Sequence, residues 1–468
     1  MVLISFVCFL ALFTLIGASS FFFSKKETKD YLLAGSSIKP WMAALSAVAT
    51  NNSGYMFIGL IGYTYLYGLS SIWLMIGWIL GDISISFFVH KKLRDVTTSQ
   101  DCISYSDLLA KWWGTDFKVF KIIASILIVV FLGTYAAAQL QAGGKALQVL
   151  LDWDYQTGAI IGAIIVLVYC SAGGIRASIW TDAIQSFVMF FAMAMMFYIT
   201  LKTVGGWGDF TQKLGLVNET YTNLLPADML VPGISGLALV ILGWFGAGAG
   251  VVGQPHIMVR FMTLDNNDFM TRTRIYYYIF FSVFTALTII TGLASRILIP
   301  EVETFDAELA LPMLASELLP EILVGVVLAG LFSATMSTAD SQILSCTAAI
   351  GQDLGIKKLQ GYIANKLITV AVTAFALSVV LIGSQNVFSL VVLSWGMLAS
   401  AFAPLLLSYA VGWRFTQGKA IFIMLFGLAV AFAFRMTPYN AQIFEATPAM
   451  LSALLVAFLI RNRNKKLA

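Results

Sequence analysis

Apolar and polar positions fall along this chain in long blocks rather than at a short period. Thirteen apolar segments cover residues 2–23, 41–66, 71–89, 119–143, 156–172, 181–202, 231–258, 274–298, 320–347, 364–383, 387–412, 418–436 and 446–460, with polar connections between them. A helix needs about 20 apolar residues to cross a hydrocarbon core. The pattern therefore predicts an all-α polytopic membrane protein with 13 transmembrane helices. Two segments are interrupted by small and polar residues: Ala49-Thr50-Asn51-Asn52-Ser53-Gly54 inside 41–66, and the glycine-rich stretch 246–253 inside 231–258. A break frees backbone amides and carbonyls, which a lipid-facing helix cannot tolerate and a cavity-lining helix can. The breaks lie five segments apart, as the first helices of two five-helix repeats of inverted topology do. On this reading the chain is a single transmembrane domain, 1–468. Residues 41–202 form the first repeat, 231–412 the second, and 2–23 and 418–460 are peripheral helices. The two matched breaks point to a secondary transporter.

Composition agrees with a membrane location. Of 468 residues 59% are hydrophobic and 11% charged, against roughly 25% charged in soluble domains. With the N-terminus placed outside, the cytoplasmic connections hold all of the 28 basic residues except Lys145, Lys202, Lys213, Arg296 and Arg435. That asymmetry predicts an N-out, C-in topology in a plasma membrane, the bacterial inner membrane being the expected one. The net charge of +4 then describes loops beside anionic lipid, and no nucleic-acid partner is expected. Ala18-Ser19-Ser20 could end a signal peptide. However, no basic n-region precedes the apolar run, which continues through Phe21-Phe22-Phe23 to a basic cluster, so residues 2–23 are expected to remain as a helix. Cys8, Cys170 and Cys346 lie in spans and Cys102 in a connection, with no metal spacing. His90 and His256 are the only histidines, which argues against a metal enzyme. The outside connection 203–229 and the loop 300–311, with Glu301, Glu303, Asp306 and Glu308, read as solvated connections or as caps over an entrance.

The ninth span reads Leu331-Phe332-Ser333-Ala334-Thr335-Met336-Ser337-Thr338-Ala339-Asp340-Ser341-Gln342. Ala334, Ser337, Thr338 and Ser341 are spaced i, i+3, i+4, i+7 and so share one helical face. Such a stripe either permits close helix packing, with hydroxyls bonded to the preceding turn, or offers hard oxygens to an alkali cation. The neighbouring break, which can donate free carbonyls, favours the second reading. Asp82, Asp182 and Asp340 fall inside spans, where carboxylates are costly and usually face a cavity or a partner. Asp340 can join the hydroxyl stripe. Asp182 starts its span near the cytoplasmic side, where an ordinary interfacial acid is also possible, and Asp82 has no evident partner.

Four stretches carry a resemblance: Ser46-Ala47-Val48-Ala49-Thr50-Asn51-Asn52-Ser53-Gly54, Trp180-Thr181-Asp182, Gly253-Gln254-Pro255-His256 with Arg260-Phe261-Met262, and the serine-rich ninth span. In this order and on these spans the chain resembles the sodium/solute symporter family, most of all its proline carriers, from Asp30-Tyr31 and Gly35 to about Arg414. The resemblance implies a leucine-transporter-like five-plus-five inverted-repeat core and sodium-coupled symport of a small organic solute, an amino acid or a related compound, into the cytoplasm by alternating access. It implies a sodium site of five neutral oxygens, the carbonyls of Ala49, Asn52 and Ala334 and the hydroxyls of Ser337 and Thr338, which suit a small hard cation. It also implies a possible second cation site at Asp182, Asp340 and Ser341. Asp340 stands where a hydroxyl residue is common, and there it either strengthens a cation site or binds a proton.

The departures from the proline carriers bear on the solute. Those carriers have an acid at the position of Asn51, whose lost charge Asp340 is expected to replace. They have aromatic residues at the positions of Ala247 and Val251, so a roomier pocket or a different solute is expected here. Candidate solute contacts are Ser53 and Tyr55 on span 2, Gln139 and Gln141 on span 4, Ala247, Val251 and Gln254 on span 7, and Trp395 on span 11. Gln139 serves equally as a helix-to-helix hydrogen bond. No arginine or lysine is expected mid-span to neutralise an anionic solute. The implied partners are the solute, Na+ as coupling ion and membrane lipids. No cofactor and no obligate protein partner are expected. Proton coupling through Asp340 and Asp182 is the first alternative. A solute sensor of the same fold is the second, and the absence of an appended signalling domain argues against it. A membrane enzyme would need a nucleophile–base constellation that two isolated histidines and scattered cysteines do not supply.

Overall fold

The apolar blocks become helices because a chain in hydrocarbon must satisfy its own backbone. A computed structural model describes residues 1–468 other than 227, 228, 230, 301–304, 383–385, 442 and 463–468. Glu301 and Glu303 of the loop 300–311, and Arg463, Lys465 and Lys466 of the basic C-terminus, lie outside the described residues. In chain order the helices are α1 (Val2–Ser19), α2 (Thr28–Leu33), α3 (Pro40–Gly54), α4 (Leu60–Tyr67), α5 (Ile72–Ser99), α6 (Tyr105–Lys111), α7 (Lys118–Leu151), α8 (Tyr155–Val204), α9 (Gly206–Leu214), α10 (Gly233–Ala249), α11 (Pro255–Met262), α12 (Met270–Leu298), α13 (Ala310–Leu318), α14 (Glu321–Ala348), α15 (Tyr362–Ile382), α16 (Val387–Ala410), α17 (Gln417–Arg435) and α18 (Ala446–Ile460). Among the described residues no strand forms, and the one isolated bridge joins Ile38 to Leu264. It ties the start of the first broken segment to the end of the second.

Among the described residues ten helical stretches are long and apolar enough to cross a membrane, and two shorter apolar helices, Tyr155–Val168 and Ala446–Ile460, accompany them. The stretch Pro40–Ser99 counts once, although Gly68 (φ 68°, ψ −148°) stops α4 before α5 starts. The expected connection 173–180 coincides with a sharp kink: α8 is two helices joined at Gly174, which leaves the helical region (φ 57°, ψ −138°). A side chain at Gly174 would run into the carbonyl oxygen of Tyr31, 2.2 Å from the Cβ position, so the bend is where α2 wedges against α8.

Burial sorts the helices. In the most apolar windows of α14 and α16, 89% and 83% of residues are buried, against 17% at α1 and 28% at α17. The serine-rich helix is therefore central, packed on α1, α3, α7 and α8, and the first and penultimate segments are peripheral. The tightest approach is α5 against α10. Cβ atoms built on Gly81 and Gly248 would lie 2.0 Å from the Phe245 carbonyl oxygen and 1.8 Å from that of Trp78. Small residues let two membrane helices meet backbone to backbone. Gly248→Val is expected to destabilise the protein by at least about 1–3 kcal/mol, read as a lower unfolding midpoint in detergent. An unchanged midpoint would show that α5 and α10 do not touch here. Cys102, between α5 and α6, is buried, and burial pushes its thiol up to about 12, so it stays protonated.

Candidate functional site

Of the two helix interruptions, the first meets the serine-rich helix α14 and the second packs on α16. The first is narrower than its sequence suggests. α3 stays helical through Asn52, Ser53 alone leaves the helical region (φ 49°, ψ −179°), and a π turn, Tyr55–Gly59, follows. A non-glycine residue at positive φ costs about 1–3 kcal/mol and persists only where its surroundings fix it. Here the Ser53 hydroxyl accepts from the Tyr55 amide at 3.1 Å, and the Gly54 amide donates to Gln139 Oε1 at 2.8 Å. The second interruption is a 3-10 turn, Gly250–Gly253, with Gln254 extended before Pro255 starts α11.

Spans 2 and 9 touch at the first break. Thr338 Oγ1 lies 3.1 Å from the Thr50 carbonyl oxygen and 3.0 Å from that of Ala334, its alternative acceptors. Ser337 Oγ donates to the Ala334 oxygen at 3.3 Å, and Thr50 and Ser341 share a hydroxyl–hydroxyl bond of 3.0 Å. Ala49, Asn52, Ala334, Ser337 and Thr338 are all fully buried. Their oxygens are neutral and hard, and both polar atoms of the Asn52 side chain lack a partner among the described residues. That set of groups can accept an alkali cation and cannot hold a soft metal.

Next to it the structure corrects the charge assignment. Arg260, counted among the cytoplasmic loop cations, is completely buried on α11. Its Nη2 donates to Ser178 Oγ (2.5 Å), to Asp182 Oδ2 (3.3 Å) and to Ser341 Oγ, and lies 3.7 Å from Asp340 Oδ1. Ser46 bridges the group, donating to Asp182 Oδ2 at 2.5 Å and accepting from Arg260 Nε at 3.1 Å. Ser178 and Ser341 each donate to Asp340 Oδ1 at 2.9 Å. The expected second cation site, Asp182, Asp340 and Ser341, is thus assembled, but around a guanidinium. Buried charges persist where they are paired. Asp340 belongs to this cluster.

The proposed solute wall is partly brought together. Trp395 Nε1 donates to the Ala247 carbonyl (2.9 Å), and Gln254 Nε2 donates to the Trp395 carbonyl (3.0 Å), so span 11 closes the second break. Trp78 stands between Trp395 (ring centroids 4.8 Å apart) and Tyr55 (6.1 Å), and Phe388 stacks on Tyr55 at 5.6 Å. The small residues Ala247 and Gly248 adjoin an aromatic cluster built from α5 and α16. Tyr55 Oη, Gln254 Oε1, Gln139 Nε2 and Trp78 Nε1 are buried without partners among the described residues. Gln139 thus acts as both helix-to-helix bond and free donor. Gln141, two residues along α7, faces away from it.

Side chains bridge the helices at both ends of this region. Lys145 bonds Glu308 (2.6 Å) and Asp306 (3.0 Å), Glu308 accepts from the Phe388 amide (3.0 Å), and Phe388 covers Tyr55. At the opposite end Tyr105 Oη donates to the Val252 carbonyl freed by the second break (2.5 Å), and Ser104 donates to Asp353 (2.7 Å). Trp78, Phe388, Lys145 and Arg260 were not singled out as site residues from sequence. The visible signals were a basic residue close to an apolar boundary, at Lys145 and Arg260, and the place of Arg260 in one of the stretches that carry the resemblance.

Comparison with known proteins gives a family-model match, described as the sodium:solute symporter family, over residues 31–427. The sodium/proline symporter of Staphylococcus aureus (strain JH9) is 29% identical over 458 residues, covering 93% of this chain and 88% of that protein. The protein of that name from strain NCTC 8325 / PS 47 matches to the same extent. Among solved structures, a Na+-coupled sialic acid symporter in a substrate-bound outward-open state is similar with a TM-score of 0.81 at 17% identity, covering 99% of both chains. A nucleobase–cation symport-1 family transporter in a closed conformation with bromovinylhydantoin bound gives 0.60 at 14% identity, covering 91% and 92%.

Proposed function

We propose that this chain, which belongs to the sodium:solute symporter family, imports a small organic solute by alternating access, with sodium bound between α3 and α14. It is a membrane transporter and not an enzyme. The observation that carries the sodium assignment is the contact of the Thr338 hydroxyl with the Thr50 carbonyl beside the break, which joins an interrupted helix to a row of hydroxyls. Ala49, Asn52, Ala334, Ser337 and Thr338 are the proposed ligands. Ser53, Tyr55, Gln139, Ala247, Val251, Gln254 and Trp395 are proposed for the solute, with Gln141 kept as a candidate from sequence. Thirteen crossings in N-out, C-in orientation and the repeats 41–202 and 231–412 belong to the same reading, as does a plasma-membrane location.

Sodium entering from outside fills the gap between the two helices, the solute binds at the breaks, and one repeat rocks against the other. One charge crossing 100 mV supplies about 2.3 kcal/mol, enough to concentrate a neutral solute roughly 50-fold at that potential. An amino acid or related compound fits the buried donors and aromatic faces. The test has two stages. A thermal-shift screen of amino acids, sugars and organic acids, with and without sodium, identifies the solute. Proteoliposomes should then take it up only under an inward sodium gradient. Uptake unchanged when choline replaces sodium would reject the proposal.

One observation favours a second reading. Asp182 and Asp340 share the single guanidinium of Arg260, so with both acids ionised the cluster carries one surplus negative charge that a proton or another cation would balance. Proton coupling predicts pH-driven uptake that Asp340→Asn abolishes and Ser337→Ala leaves nearly intact.

A further inference from the structure

Asp82 lies on α5, is 1% exposed, and belongs to neither cluster above. Both of its oxygens are taken by phenols: Tyr277 Oη donates to Oδ2 at 2.9 Å and Tyr278 Oη to Oδ1 at 2.8 Å. Among the described residues no cation pairs with it. Arg274, one turn before Tyr277 and Tyr278 on α12, sends its guanidinium to the Ser86 carbonyl at 2.6 Å. Tyr277 has a second bond, accepting from Asn51 Nδ2 at 2.6 Å. A phenol has one proton. Because that proton goes to Asp82, the Asn51 amide must present its nitrogen to Tyr277, which turns Oδ1 away. Asn51 Oδ1 is buried and without a partner among the described residues. Asn51 directly precedes Asn52 and lies two residues after Ala49, the two carbonyl ligands proposed on α3. A chain of three side chains thus runs from an unpaired carboxylate to the last helical turn before the break at Ser53, and each link fixes the next.

We propose that Asp82 is a positioning residue for the coupling ion, acting through Tyr277 and Asn51 to hold the first break in its sodium-binding geometry and to add negative potential there. This rests on the sodium reading above. Asp82 stays on the scaffold and is not itself a ligand.

The test uses purified full-length protein and sodium chloride titrated against choline chloride at constant ionic strength, with the unfolding midpoint as readout. Wild type should be stabilised by sodium with a definite half-saturation. Outer-shell partners typically change ion affinity by about 10–100-fold. Asp82→Asn and Tyr277→Phe should therefore each raise the half-saturating sodium at least about tenfold. The double variant should be no worse than the more severe single one, because both cut the same chain. Tyr278→Phe, which leaves the relay intact, should change it by less than about threefold. If Asp82→Asn does not yield folded protein, Tyr277→Phe alone decides. Half-saturation within twofold of wild type for the relay variants overturns the inference, as does a lower midpoint in choline with an unchanged sodium response, which would mark a merely structural role. A wild type indifferent to sodium removes the sodium reading itself and this inference with it.

Discussion

Arg260→Met is expected to lower the unfolding midpoint of the protein in choline more than any other single change at the site. The guanidinium is completely buried and lies within 3.7 Å of two carboxylates that are themselves completely buried. Removing one partner of a buried ion pair leaves an uncompensated charge and costs about 3–5 kcal/mol. Two acids are orphaned here, and Ser46 and Ser178 lose the guanidinium hydrogens they accept, so the upper part of that range applies. Adding Asp182→Asn to Arg260→Met should recover most of the loss, because the remaining acid can take up a proton and still accept from Ser178. Sodium should also stabilise Arg260→Met more than wild type, since the vacated space then offers two carboxylates to a free cation. A variant as stable as wild type in choline would mean that the arginine contributes nothing to the cluster.

Thr338→Val is expected to cause the largest loss of sodium affinity. Valine keeps the shape and removes the one hydroxyl that touches both the Thr50 and Ala334 carbonyl oxygens. A direct oxygen ligand matters at least as much as the outer-shell groups that change affinity by about 10–100-fold. Uptake at a fixed low sodium concentration should therefore vanish and return as sodium is raised. Thr347→Val, on the same helix but bonded to the Ile343 carbonyl and to Thr369, should leave sodium dependence unchanged. Equal sodium curves for Thr338→Val and wild type would remove Thr338 from the site.

Some of this was legible in the sequence, and the reason is local. Asn51-Asn52-Ser53-Gly54 and the glycine run before Gln254 cannot continue as uninterrupted apolar helices, so the breaks announce themselves. The hydroxyl stripe follows from helical spacing alone. What could not be read is pairing across distance. Arg260 was placed in a loop because an arginine ordinarily ends a span, and its acids lie 78 and 80 residues away in sequence. The same rule stopped span 4 at residue 143, whereas α7 continues to Leu151 because Lys145 finds Glu308. Residues 173–180, with Arg176 among them, read as a connection, and the chain does leave the helical region there at Gly174; what could not be read is that Arg176 just beyond it pairs with Asp30 and the Ala34 carbonyl (2.9 Å). Trp78 gave no signal, since an aromatic residue in an apolar segment normally faces lipid or core. Its place became visible only once the glycines of α5 and α10 were seen to bring the two backbones together.

The lysine that fastens Asp306 and Glu308 to α7 has a consequence for how that end comes apart. Lys145 and Glu308 are nearly dry, and Glu308 also grips the first turn of α16 through the Phe388 amide. Pulling the two charges apart without hydrating them would be prohibitive. Were this end to open, water would have to reach the ammonium and the carboxylate as they separate, and the hold of Glu308 on the Phe388 amide would be released with them.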